Sequence, residues 1–148
     1  MSLKERINED MKAAMRARES ERLSAIRMLL AAVKQKEVDE RIVVDDAQVV
    51  AIVDRLLKQR KDSITQFEAA GRQELADRER FEAEVLSAYM PQQASDAEVA
   101  AEVDAALAAT GAAGPQDMGR VMAVLKGRLA GRADLSAVSA RVKARLAG

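Results

Sequence analysis

The sequence predicts an all-α protein, with an N-terminal bundle of about four helices followed by a small three-helix C-terminal domain. Three observations carry that prediction. Apolar residues recur at spacings of three and four through almost the whole chain, which places them on one side of a helix. Helix-start signals stand in front of these stripes, and only two Pro and seven Gly interrupt 148 residues. The hydrophobic 49% is aliphatic, with no Trp, one Tyr and two Phe, and no pair of alternating runs asks for a sheet.

Taken in order, Ser2-Leu3-Lys4-Glu5 is a capping box, and Leu3, Ile7, Met11 and Met15 follow at spacings of four. This first helix is expected to run to about Ala17. The second starts near Ser20, carries Leu23, Ile26, Leu30 and Val33, and ends near Glu37. The β-branched run Ile42-Val43-Val44 reads as a loop that tucks an aliphatic side chain against the bundle. Asp45-Asp46-Ala47-Gln48 then caps the longest helix, about Asp46 to Ala70, or roughly 36 Å. Gly71 stands where a C-terminal glycine cap belongs. A fourth helix covers about Gln73 to Tyr89, with an outer face dense in charge from Glu74 to Glu84.

Tyr89-Met90-Pro91-Gln92-Gln93-Ala94-Ser95 is the expected junction. Pro91 has no amide proton and its ring clashes with a preceding turn, so the fourth helix must stop by Met90. Ser95-Asp96-Ala97-Glu98 starts another. The predicted domains are therefore 1–90 and 95–148. Past the junction, Val99, Val103 and Leu107 mark a short helix, broken at Gly111–Gly114. Pro115 opens the next, with Met118, Val121, Met122 and Leu125. Asp134 caps the last, with Leu135, Val138, Val142 and Leu146.

The chain has no His and no Cys. That removes imidazole bases, thiolate nucleophiles, disulfides and Cys/His zinc sites together. No serine sits in a Gly-x-Ser-x-Gly elbow and no phosphate-cradling glycine loop is present. Asp45-Asp46 and Glu82/Glu84 read as a cap and a solvated face rather than metal ligands. The expectation is that there are no catalytic residues, no cofactor and no metal. No run of about 18 apolar residues exists, so no membrane partner is expected. The N-terminus enters a charged amphipathic pattern, and a cytoplasmic protein is expected.

Net charge is zero, but it is unevenly placed. Residues 1–93 are nearly balanced. Residues 94–110 hold Asp96, Glu98, Glu102 and Asp104 and no base. Residues 111–148 hold Asp117 and Asp134 against Arg120, Lys126, Arg128, Arg132, Arg141, Lys143 and Arg145. Two readings of this basic end stand side by side. Lys126, Arg128 and Arg145 are cations near helix C-termini, where the helix dipole favours them. Alternatively, Arg120, Lys126, Arg128, Arg132, Arg141 and Lys143 form a phosphate-gripping surface. With no aromatics for base stacking, it would read the backbone and shape of a folded RNA. The run Lys58-Gln59-Arg60-Lys61-Asp62 reads as a solvated outer face.

Several separated stretches resemble the GatB/YqeY family, specifically its stand-alone YqeY-like members. The clearest are Ala88-Tyr89-Met90-Pro91-Gln92-Gln93, Asp117-Met118-Gly119-Arg120-Val121-Met122 and Gly131-Arg132-Ala133-Asp134. Arg22 to Leu29, Glu37 to Arg41 and Gln59 to Ile64 add to them. Arg120 stands where the family often has Lys, which keeps the charge. Leu135 stands where Gly is common, which shifts how the last helix begins.

The resemblance implies kinship with the tail of the B subunit of the tRNA-dependent amidotransferase, where the tail helps to hold tRNA. A family label of carbon–nitrogen ligase activity with glutamine as amido donor comes with the whole assembly, and no catalytic motif is here to receive it. The expected partners are tRNA, through the C-terminal domain, and a tRNA-charging or amidotransferase enzyme. The expected function is that of a tRNA-binding accessory protein in translation without its own active site. A helical protein–protein adaptor with no RNA role, exposing a contiguous apolar patch, is the alternative. A small amidotransferase in its own right is the third.

Overall fold

A computed structural model describes residues 1–147. The protein is all-α, and no strand occurs among the described residues. The chain divides into two compact units, Met1–Met90 and Pro91–Gly148.

The first unit contains α1 (Leu3–Arg16), α2 (Ser20–Glu40), α3 (Asp46–Ala69) and α4 (Gln73–Ser87). The start of α1 follows from its capping box. Ser2 Oγ accepts from the Glu5 amide at 3.1 Å, and the Glu5 carboxylate accepts from the Ser2 amide at 3.3 Å. Asp45 and Gln48 repeat the arrangement at α3, at 2.8 and 2.9 Å. At the far end of α3, Gly71 adopts φ +70°, and the Arg72 amide reaches the Phe67 carbonyl at 2.8 Å. A residue with a Cβ resists that left-handed turn.

Three expectations shift. Four residues turn a helix by about 400°, so the stripe drifts about 40° at each step. By Met15 the drift has carried the side chain outward, to 47% exposed, and Ala14 is buried in its place. Helix α2 runs three residues past Glu37, because Val38, Asp39 and Glu40 all continue the helix. It stops where Arg41 turns left-handed, φ 54°. Helix α4 ends at Ser87, because the last turn tightens. The Tyr89 amide reaches the Leu86 carbonyl and the Met90 amide the Ser87 carbonyl, both at 3.1 Å. Three-residue bonds of this kind satisfy helix-end carbonyls.

The core of this unit is aliphatic. Ile7, Ile26, Leu29, Val33, Val49, Val53 and Leu86 are fully buried. Val44, from the loop after α2, joins them, while Val43 beside it is exposed. Polar ties fix the corners. Glu37 accepts from Lys4 Nζ at 2.7 Å and from the Val44 amide at 3.1 Å, joining α1, α2 and the loop. Lys4 and the Val44 amide therefore hold the Glu37 carboxyl below its ordinary value. Tyr89 is 2% exposed, and its hydroxyl donates to Asp10 at 2.6 Å. Burial, followed by the Asp10 carboxylate, pushes the Tyr89 hydroxyl well above its ordinary value. The Arg6 guanidinium lies over the Tyr89 ring, 5.2 Å from its centroid, and donates to the Ala88 carbonyl at 3.2 Å.

The second unit contains α5 (Asp96–Thr110), a short 3-10 turn (Pro115–Asp117), α6 (Met118–Leu129) and α7 (Leu135–Ala147). Ser95 caps α5, its hydroxyl accepting from the Glu98 amide at 3.1 Å. Pro115 opens the 3-10 turn rather than α6 itself, and α6 starts at Met118. Val99, Val103, Ala106, Val121, Leu125, Leu129, Val138 and Val142 close a separate core.

Two outcomes test these ties. Tyr89→Phe removes a hydrogen bond to a charged acceptor and should destabilise the first unit by about 1.5–3 kcal/mol, read as a lower thermal midpoint by circular dichroism. Because the folded pKa of Glu37 is depressed, its contribution is present above the unfolded carboxylate value and disappears as pH falls through the folded one. The wild-type midpoint should therefore drop below about pH 4.5 more steeply than that of Glu37→Gln.

Candidate nucleic-acid interface

In the second unit, the seven bases share 58 residues with six acids: Asp96, Glu98, Glu102, Asp104, Asp117 and Asp134. Val99, Val103 and Ala106 turn one face of α5 into the core. Its carboxylates are left on the flanks, and the arginines of the following segments meet them there. Glu98 accepts from Arg132 at 2.9 Å, and Glu102 accepts from Arg128 at 3.1 Å. Asp104 pairs with Arg145. Arg141 donates to the Asp96 carbonyl at 3.4 Å. Arg120 pairs with Asp117 three residues before it, and also donates to the Thr110 carbonyl at 3.3 Å. Arg132 gives a further bond to the Gln92 carbonyl at 3.1 Å.

Of the six residues expected to grip phosphate, Arg120, Arg128 and Arg132 thus carry a carboxylate partner. Arg141 reaches a backbone carbonyl. Lys126 and Lys143 pair with no acid among the described residues. Helix geometry sorts them. Neighbours two apart differ by about 200° around the axis and face nearly opposite ways. Val121, Leu125 and Leu129 fix the rotation of α6. Arg128 then faces α5, and Lys126 is turned from it. Val138 and Val142 fix α7 in the same way, with Arg141 and Arg145 on one flank and Lys143 on the other. The basic end is therefore not one uniform grip.

Two of the carboxylates are held toward the charged form. The Ser95 backbone amide, then Arg132 and the Ser95 hydroxyl, hold Glu98 below its ordinary value. The Ala113 amide, then Arg120, do the same for Asp117. Asp134 accepts from the Ser136 amide at 3.0 Å, which starts α7. All four arginine–carboxylate pairs lie at the surface, where such a pair contributes about 0–1 kcal/mol. A guanidinium has five donors and one carboxylate does not exhaust them. A signal for this pairing was present in the sequence. A stretch with four acids and no base lies directly before the stretch with the excess of bases.

In the first unit, Arg60 is not solvated as its neighbours suggest. It is 13% exposed and lies between Glu82 at 2.9 Å and Glu79 at 3.4 Å, against the Met28 sulfur. Glu79 and Glu82 sit one turn apart on α4, and the antiparallel α3–α4 hairpin sets that flank opposite Arg60. Lys58 pairs with Asp54 at 3.1 Å on the outer side. Asp45 is a cap, as expected, and Asp46 accepts from the Leu3 amide at 2.9 Å. The large exposed apolar side chains among the described residues are Met1, Met15, Val38, Val43 and Phe81, from separate segments of the chain. No described helix is long and apolar enough to cross a membrane.

Comparison with known proteins gives a consistent answer. A family model described as "Yqey-like protein" matches residues 4–146. The chain is 38% identical over 104 residues to "Altered inheritance of mitochondria protein 41, mitochondrial" of Eremothecium gossypii, covering 68% of this chain and 57% of that one. It is 37% identical over 100 residues to the protein of that name in Lachancea thermotolerans, covering 66% and 54%. For the Saccharomyces cerevisiae protein the figures are 36% over 84 residues, 56% and 45%. The chain spans about half the length of the curated relatives it matches. Their names overturn the cytoplasmic placement drawn from the sequence. A chain without cysteine fits any reducing compartment, so composition never separated the cytosol from others.

Removing the carboxylate partners should expose the arginines. The combined variant Glu98→Gln, Glu102→Gln, Asp104→Asn should elute from heparin at higher salt than the wild type. Each lost surface pair should lower stability by at most about 1 kcal/mol, checked by thermal melting.

Proposed function

The chain belongs to the YqeY-like protein family, and from that premise we propose that it is a tRNA-binding accessory protein without its own active site. The observation that carries the reading is the set Lys126, Arg141 and Lys143 in the second unit, which pair with no carboxylate among the described residues and leave room for phosphate, while Arg120, Arg128, Arg132 and Arg145 are engaged by carboxylates. Exposed Arg120 and Arg128, and half-buried Arg132, add guanidinium groups that can exchange a carboxylate for a phosphate oxygen. The resemblance to the tail of the amidotransferase B subunit supplies tRNA as the class of ligand, and a tRNA-charging or amidotransferase enzyme as the second partner. Because tRNA is charged wherever proteins are made, the mitochondrial names of the relatives are compatible with the reading. The six acids of the unit explain why such binding would be modest. Residues 91–148 carry one base more than acids, against five in residues 111–148 alone.

The adaptor reading requires a contiguous apolar patch, whereas the large exposed apolar side chains of the described residues come from separate segments: Met1, Met15 of α1, Val38 of α2, Val43 of the following loop and Phe81 of α4. The carbon–nitrogen ligase label belongs to the assembly from which the family takes it.

With about three phosphates neutralised by the second unit, that unit should contribute roughly −2 to −3 to the slope of log affinity against log salt. A gel-shift titration of folded tRNA at several salt concentrations measures it. Lys126→Glu with Lys143→Glu should weaken binding, and a salt-independent affinity would exclude backbone contact.

A further inference from the structure

We propose that the solvent face of α2, in the first unit, is a second contact for the backbone of double-helical RNA. The proposal rests on the nucleic-acid reading above for its ligand class, and on different residues for its evidence. Ser20, Ser24, Arg27, Ala31, Lys34, Val38 and Arg41 are all exposed. The first six have spacings of four, three, four, three and four, so they form one line along α2, directly opposite the buried side of Ala25, Ile26, Leu29 and Val33; Arg41 follows at the end of the helix, where the backbone turns left-handed. Arg27 and Lys34 stand seven residues and about 10.5 Å apart on the helix, and Arg41 is the exposed residue at its C-terminal end.

None of these three cations pairs with a carboxylate among the described residues, although most acids around them are engaged. Glu40 is bound to Lys36 at 2.9 Å, and Asp39 accepts from Gln35 at 2.8 Å. Glu37, which feels the charge of Lys34, is held by Lys4 and the Val44 amide. Glu21 and Asp39 lie about 120° around the axis from Arg27. The stripe therefore presents donors, with no carboxylate in the line.

The chemistry selects phosphate over other partners. A protein surface offers donors and acceptors mixed, whereas a sugar–phosphate backbone offers mainly acceptors, which Arg, Lys and Ser side chains satisfy. Ser24 and Ala31 are small and allow a backbone to approach the helix closely. A lipid surface would require a buried apolar face, and Val38 is the stripe's one large apolar side chain.

The test uses the full chain and fluorescence anisotropy. The probes are a labelled RNA duplex, the matching DNA duplex, and phosphatidylserine vesicles. Arg27→Gln, Lys34→Gln, Arg41→Gly is compared with wild type and with Lys126→Gln, Lys143→Gln. Glycine is chosen at Arg41 because it fits the left-handed turn, and thermal melting verifies folding. The α2 variant should bind the RNA duplex about tenfold or more weakly, with a salt slope shallower by about 2–3. Unchanged RNA affinity and slope would overturn the proposal, as would DNA binding as tight as RNA binding. Loss of vesicle binding alone would overturn it in favour of a membrane. If the Lys126 and Lys143 variant binds normally while the α2 variant does not, the second-unit reading fails and this one stands.

Discussion

Two aliphatic cores set the rotation of every helix, and that rotation decides where each charge goes. With no Trp and few other aromatics, burial must come from Leu, Ile, Val, Met and Ala along continuous stripes. Each fully buried side chain of this kind contributes about 1.5–3 kcal/mol, against about 0–1 kcal/mol for a surface ion pair. The stripes therefore win, and the charges take the flanks left to them. In α6, Leu125 is buried, so Arg128 finds Glu102 and Lys126 finds no acid among the described residues. In α2, Leu29 and Val33 are buried, and Arg27 and Lys34 face solvent.

The first unit uses polar groups where its helices must be pinned rather than packed. Glu37 joins three segments through one carboxylate. Arg60 answers two carboxylates of α4, and among the described residues Glu79 Oε2 has that charge contact and no hydrogen bond. Tyr89 closes the C-terminal end of the unit, with a hydroxyl to Asp10 and a ring beneath Arg6. These ties make specific corners in a core whose aliphatic side chains could otherwise slide along one another.

Much of the architecture was readable from residue order. The capping boxes at Ser2 and Asp45 and the glycine at position 71 act locally, through bonds within a few residues, and the helices start and stop there. The all-α fold follows from periodicity for the same reason. One error lies where a distant partner intervenes: Arg60 reads as solvated until α4 is folded back against α3. Another is local: Met15 belongs to a stripe by spacing, and the drift of the helix takes it out.

The cations divide along the same line. Sequence alone determined how many there are, that they crowd the end of the chain, and that no histidine or cysteine stands among them, because composition and order need no partner. Tertiary structure decided which are free. Glu102 and Arg128 are 26 positions apart, and Asp104 and Arg145 are 41 apart. Whether they meet depends on the rotation that burial imposes on α5, α6 and α7 together. No local pattern encodes that angle, because it is the common solution of three helices closing one core.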